Sequence, residues 1–292
     1  MAEMRQFKME GNNFLKTSQE ALVNSVNQHV ENLEIKLFNS EEEKTPKDEA
    51  VINELFSILE KEYKDLGLPE DYFYELNKNK IHFLSSEEFI KAVPPAKDIK
   101  IGANAYPDGS YIIRREVFST PLQFYKANLH ELIHAASFKR FSLNEKSGNL
   151  GLEKIGYKGD KFLGFNEAMT DLMTLEFMEK NKEDLRLLIN FSDQEFSDLE
   201  KSLYPYYSLV EKIVDSISET KEEDRELTWE RFKKGMFTGE MMHLRDIEKT
   251  YGEGALSKIA SLGYKKETDQ EVFDYFSVDE SKGFKLSELY AA

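Results

Sequence analysis

Val51, Ile52, Leu55, Phe56, Leu59 and Tyr63 recur three and four apart, the period of a helix that buries one stripe. Thr45 and Pro46 ahead of them suit an N-cap and first-turn pair, and Gly67 and Pro69 behind them suit a stop. Upstream, Phe14, Leu15, Leu22, Val23, Val26, Val30, Leu33 and Leu37 form a looser pattern. It predicts a weakly amphipathic helix over residues 1 to about 40, and the charged run 41–48 predicts a solvated linker. From Ile81 to Phe118 the period shortens. Ile81-His82-Phe83-Leu84 predicts a short strand, and two runs flanking Pro107-Asp108-Gly109-Ser110 predict a hairpin within 100–117. Thr120-Pro121-Leu122-Gln123 then combines a capping box with proline at the first helical position. The helix it opens should run to about Lys139, with Leu122, Tyr125, Leu129, Leu132, Ile133 and Ala136 as its buried stripe. Glycine-rich residues 140–164 suit a loop or irregular hairpin. A second strong helix is predicted from about Phe165 to Lys180, Leu172 and Leu175 facing inward, and from Glu195 onward the pattern is mostly helical.

The elements add up to an α+β chain: a small sheet or hairpin, two strong helices, then a mostly helical C-terminal part. The boundaries divide it into a segment at 1–45, a core at 46–190 and a subdomain at 191–292. With 292 residues, 40% of them hydrophobic and 12% aromatic, the chain can bury a sizeable core. Its 39 Lys and Arg against 55 Asp and Glu leave a net charge of −16, the wrong sign for binding nucleic acid through clustered cations. No run is apolar enough to predict a membrane span. The first residues lack the apolar stretch of a signal peptide, so a cytoplasmic protein is expected. Cysteine is absent, and any bound metal must therefore be held by Asp, Glu and the five His.

Two of those His lie in His130-Glu131-Leu132-Ile133-His134 on the first strong helix. Residues four apart stand one turn above each other, so both imidazoles can reach one ion. Glu131 projects beside them, where it can take a proton from a water that the metal activates. A bland reading of the same residues is two His beside a salt-bridged Glu. The third ligand decides between the two. The metzincin spacing would need Gly and His where Ser137 and Arg140 stand, and is excluded. Asn166-Glu167-Ala168-Met169-Thr170-Asp171, at the start of the second strong helix, supplies an alternative. Glu167 and Asp171 share a face one turn apart, so Glu167 can ligate and Asp171 can accept the outer N–H of a ligating His. Without the upstream motif they would read as carboxylates complementing a helix dipole.

Together the two motifs resemble the gluzincin arrangement of the thermolysin-like zinc metallopeptidases, whose second motif reads Asn-Glu-x-x-Ser/Thr-Asp. The resemblance covers about 50 residues, from Pro121 to Lys180, with the hairpin before them. It implies a zincin-like fold, Zn²⁺ on His130, His134 and Glu167, Glu131 as general base, Asp171 as a support, and a peptide or protein substrate. The separation of His134 from Glu167 is longer than in thermolysin, which implies an extra loop or hairpin between the active-site helices. The later motif carrying a transition-state histidine is missing, so the chain resembles a divergent or minimal gluzincin.

In such enzymes a later Tyr or His stabilises the oxyanion, a role for which Tyr207, Tyr204 and His243 are the candidates. Ile101-Gly102-Ala103-Asn104-Ala105 stands where the clan's aminopeptidases carry Gly-x-Met-Glu-Asn; the amine-binding Glu is missing, though the strand can still pair with an extended peptide. His29 and His82 are isolated and read as surface or core residues, and Trp229, Met241 and Met242 as core. The expected activity is hydrolysis of peptide bonds. Its competitors are a non-catalytic binding or regulatory module and a metal-dependent hydrolase of some non-peptide amide.

Overall fold

The Thr45 hydroxyl accepts the Asp48 N–H while the Asp48 carboxylate accepts the Thr45 N–H, a reciprocal cap that starts α1 (Pro46–Asp65). All six residues of its expected stripe are buried. The computed structural model describes residues 7–10, 41–68, 76, 78–93, 102–106, 109–137, 139–142, 147–151, 153–156, 161–200, 206–240, 242–263 and 266–278. Most of the described chain is helical with small sheets, an α+β protein as expected. It divides into two compact units.

The first unit takes in residues 1–136, 141–145 and 180–191. Its strands β2 (Ile81–Phe83), β3 (Ala103–Ala105) and β4 (Tyr111–Ile113) form a sheet ordered β2-β4-β3. The expected hairpin is present as the antiparallel pair β3–β4, with Asn104 opposite Ile112, and β2 runs parallel to β4. Between them α2 (Ser86–Ala92) is capped by Ser85 and packs Phe89 with Leu84 and Ile112. After β4 comes α3 (Pro121–Ala136). The Thr120 hydroxyl accepts the Gln123 N–H, and Gln123 returns its side-chain oxygen to Ser119 rather than to Thr120, so the capping box closes one residue early. The entire expected stripe of α3 is buried, and the Tyr63 hydroxyl donates to the Ala136 carbonyl, satisfying an acceptor that the helix leaves open.

Two expectations fail at the start of this unit. Residues Phe7–Glu10 form strand β1 rather than helix, and the rest of the anticipated helix lies outside the described residues. The run 41–48 is not a solvated linker. Glu42 N–H donates to the Phe83 carbonyl, Glu42 and Asp48 both bind Arg115, and Glu41 meets the buried His82 at 3.1 Å. Glu41, Glu42 and Asp48 thus meet partners 41, 73 and 67 residues away in sequence, while Glu43 stays exposed. His82 is therefore a paired core residue; His29 lies outside the described residues.

The second unit takes in 137–140, 146–179 and 192–292. Residues 140–164 hold the expected irregular hairpin: after β5 (Lys139–Ser142), β6 (Ser147–Leu150) and β7 (Glu153–Gly156) pair antiparallel. Then follow α4 (Leu163–Lys180), α5 (Lys182–Ile189), α6 (Asp193–Glu200), α7 (Tyr207–Lys221), α8 (Arg225–Thr238), α9 (Met242–Tyr251), α10 (Ala255–Ile259) and α11 (Lys266–Phe276). Helix α4 buries Phe165, Ala168, Met169, Met173, Phe177 and Met178. Leu172 and Leu175, expected to face inward, are only half-buried.

Opposite the Glu167 side of α4, Glu176 accepts the Trp229 indole N–H at 2.6 Å and the Lys233 ammonium at 2.7 Å. Trp229 is core, as expected; the side chains of Met241 and Met242 lie outside the described residues. Lys233 is 1% exposed and meets Glu226 as well, at 3.4 Å, so Glu176 is the nearer of its two carboxylate partners. Glu176→Gln should destabilise the fold by about 3 kcal/mol, because it removes the nearer counter-charge of a buried ammonium and leaves it the Glu226 carboxylate at 3.4 Å. Thr45→Ala should cost only about 1 kcal/mol, the worth of a cap. Denaturant midpoints of the two variants check the ranking, which equal losses would refute.

Candidate metal centre

Helix α3 turns its apolar stripe into the core and leaves His130, Glu131 and His134 on the remaining arc, His134 buried and the other two half-buried. The two imidazoles stand one turn apart with Nε2 atoms 3.0 Å from each other, ring centroids 4.7 Å apart and planes at 69°. Two nitrogens on one tetrahedral ion, each about 2.0 to 2.1 Å from it, are separated by roughly 3.3 Å. The pair therefore sits close to a ligating geometry. Glu167, on the second turn of α4, offers a carboxylate oxygen; this atom and one nitrogen from each of His130 and His134 lie within 4.8 Å of one another. This is the group among the described residues that could hold a metal ion. Two imidazoles and one carboxylate, with no thiolate, are the donor set of a catalytic rather than a structural zinc.

The rest of the second motif is folded into its surroundings. Asn166 is fully buried in the first turn of α4, and the Thr170 hydroxyl donates to the Asn166 carbonyl at 2.9 Å. Gly151, in the β6–β7 turn at φ +57°, lies so close that a Cβ there would approach the Asn166 Oδ1 to 2.7 Å. Asn166 thus acts as a packing residue for the interhelical hairpin. Asp171, 5% exposed, is buried on the same face as Glu167. A carboxylate so placed must be hydrogen-bonded to remain charged.

Behind α3, in electrostatic reach of Glu131, lies a residue that the pattern did not single out. Tyr111 of β4 is fully buried and donates its hydroxyl to Asn128 Oδ1 at 3.2 Å, while the Asn128 amide donates to the Phe124 carbonyl. Burial, and then the negative charge of Glu131, push the phenol well above its ordinary pKa. Tyr111 stays neutral and remains a donor. Its alternation with Ile112 on β4 was the available signal, since odd positions of that strand face α3.

Of the oxyanion candidates, Tyr207 is half-buried at the first residue of α7 and Tyr204 lies outside the described residues. His243 is 3% exposed on α9, its ring 4.6 Å from Phe232 and pressed onto Gly235, where a Cβ would fall 1.9 Å from the imidazole. That setting makes His243 a core residue of the second unit. Strand β3, at the edge of its sheet among the described residues, keeps its three residues partly exposed.

No family model, curated protein or solved structure matches this chain.

Burial lowers the His243 pKa to about 4, against weaker raising effects from the Glu240 backbone and Asp246 and a lowering one from Arg231. A base depressed in the folded state gives stability that is complete above its unfolded pKa of about 6.5. That contribution should be lost as pH falls from about 6.5 to 4, at a cost of up to roughly 3 kcal/mol. Parent and His243→Gln should therefore differ in the slope of their unfolding midpoints across this interval, the parent falling more steeply. Parallel curves would show that the imidazole binds its proton as readily in the folded chain as in the unfolded one.

Proposed function

We propose that the chain is a zinc-dependent peptidase of gluzincin type with a zincin-like core. The observation that carries this reading is the grouping of one ligand atom each from His130, His134 and Glu167, with Glu131 next in sequence to the first of them. Zn²⁺, when bound, supplies Lewis-acid polarisation of a water and of the scissile carbonyl. Glu131 takes the proton of the attacking water and passes it to the departing amine. Tyr111, held neutral within reach of its charge, keeps the surroundings of the base fixed without competing for its proton. Asp171 accepts the outward N–H of a ligating imidazole and so selects the tautomer that can bind metal. Tyr207 donates to the oxygen on which charge develops.

Strand β3, at the edge of its sheet among the described residues, favours a peptide over a small amide, because an extended backbone can add to it as another strand. Glu131 favours catalysis over passive binding, since a scaffold that needed only the metal would not require a base beside it. Among the described residues no helix is long and apolar enough to cross a membrane.

Purified protein loaded with zinc and desalted should retain about one ion per chain, and Glu167→Ala should lower that occupancy as strongly as removing either His. Metal analysis showing none above background overturns the reading. Glu131→Gln should keep its zinc while peptide hydrolysis falls by about 10²- to 10⁴-fold. Cleavage of a peptide library at the parental rate would remove Glu131 from the mechanism, and zinc-loaded parent inert on every peptide would favour the binding module.

Asp171→Ala should weaken zinc retention by about 10- to 100-fold in competition with a chelator, and Asp171→Asn, which keeps an acceptor, should be milder. Equal retention by all three proteins would detach Asp171 from the site.

A further inference from the structure

The start of α4, a few residues ahead of Glu167, is gripped by groups from much later in the chain. Phe162 stands immediately before the helix at φ +65°, a left-handed conformation that side-chain-bearing residues avoid unless their surroundings impose it. Its N–H donates to the Ala260 carbonyl at 3.1 Å, and the Gly164 N–H donates to the Leu262 carbonyl at 3.4 Å. Residues 260–262, following α10, therefore run along the entry to α4 and hold it through the backbone.

Glycine at 164 allows a second contact. A Cβ there would come within 2.8 Å of the Tyr206 ring and 3.1 Å of the Leu262 side chain, so the first turn of α4 lies directly on that aromatic face. Tyr206 is itself pinned: 1% exposed, it donates its hydroxyl to Asp269 Oδ2 at 2.6 Å. The other carboxylate oxygen accepts the Gly263 N–H at 3.0 Å. Gly263, at φ +94°, abuts Gly164. One fully buried carboxylate on α11 thus binds both the aromatic bed of α4 and the backbone bend that carries residues 260–262.

We propose that Asp269 is a positioning residue for the ligand Glu167, acting through Tyr206 and Gly263 on the first turn of α4. The proposal rests on the reading of Glu167 as a metal ligand. Glu167 lies only three residues beyond Gly164, so a shift of that turn moves the carboxylate with it. Such a shift leaves His130 and His134 untouched, and the metal would keep two ligands while losing the geometry of the third. The same carboxylate reaches further, since Tyr206 precedes Tyr207 at the start of α7.

Two measurements on the full-length chain test this. Hydrogen exchange on metal-free protein reads the clamp itself, at the amides of Phe162, Gly164 and Asn166. The visible spectrum of cobalt-substituted protein, with chelator competition, reads the coordination. Tyr206→Phe removes one hydroxyl and keeps the ring, Asp269→Ala removes both acceptors, and Asp269→Asn keeps an acceptor oxygen for the Gly263 N–H and an amide N–H that the Tyr206 hydroxyl oxygen can accept. Ile217→Val, a buried change on α7, controls for general loss of stability.

Tyr206→Phe and Asp269→Ala should speed exchange at those amides at least about tenfold, change the cobalt spectrum and loosen the metal about tenfold, the size of a lost supporting contact. Asp269→Asn should restore most of both readouts, and Ile217→Val should move neither. Exchange unchanged in Tyr206→Phe and Asp269→Ala overturns the clamp. Faster exchange with the parental spectrum and affinity overturns its link to Glu167. A parent that holds no cobalt overturns instead the assignment of the metal site on which the link depends.

Discussion

A helix that must bury one stripe and present another has almost no freedom of rotation, and α3 is such a helix. Six apolar side chains, from Leu122 to Ala136, are removed from water along one stripe. Burying a side chain of Leu or Ile size is worth roughly 1.5 to 3 kcal/mol, so turning the helix by one residue would forfeit a sum comparable to the entire net stability of a typical domain. The arc on which His130, Glu131 and His134 stand is therefore dictated by the core. Local chemistry contributes the rest: Thr120 sets where the helix begins, Tyr63 closes its end, and the one-turn offset brings the imidazole nitrogens within 3.0 Å.

Helices α1 and α3 were legible in the sequence because two independent signals, spacing and capping, agreed on each. The β3–β4 hairpin was legible for a similar reason, its turn residues standing between two runs that favour strands. Helix α4 was legible as a helix but not in its rotation. Phe165, Met169, Leu172, Met173, Leu175 and Phe177 leave apolar residues almost all round it, and such a helix offers no single face to choose. Met169, Met173 and Phe177 took the core, and the two leucines were left half-buried.

What could not be read locally was set by partners distant in the chain. The run 41–48 has the composition of a solvated segment, and Arg115, His82 and the Phe83 carbonyl make it otherwise. Motif spacing singled out His130, His134 and Glu167 because ligand geometry imposes a local signature. Tyr111 and Gly151 carry no such signature. One is distinguished by lying in electrostatic reach of Glu131, the other by leaving room for Asn166, and both relations exist only after folding.

Strand β3, an edge strand among the described residues, carries a liability in that position. A sheet edge that can accept an extended peptide can equally accept the edge of a second copy, the usual first step of strand-mediated aggregation. Three residues give little length for such pairing, and small Ala103 and Ala105 provide little side-chain area to cement it. Between identical chains of net charge −16, long-range repulsion opposes the encounter as well. That protection fades as salt shortens the reach of the charges, so ionic strength should govern how long concentrated solutions of the protein stay clear.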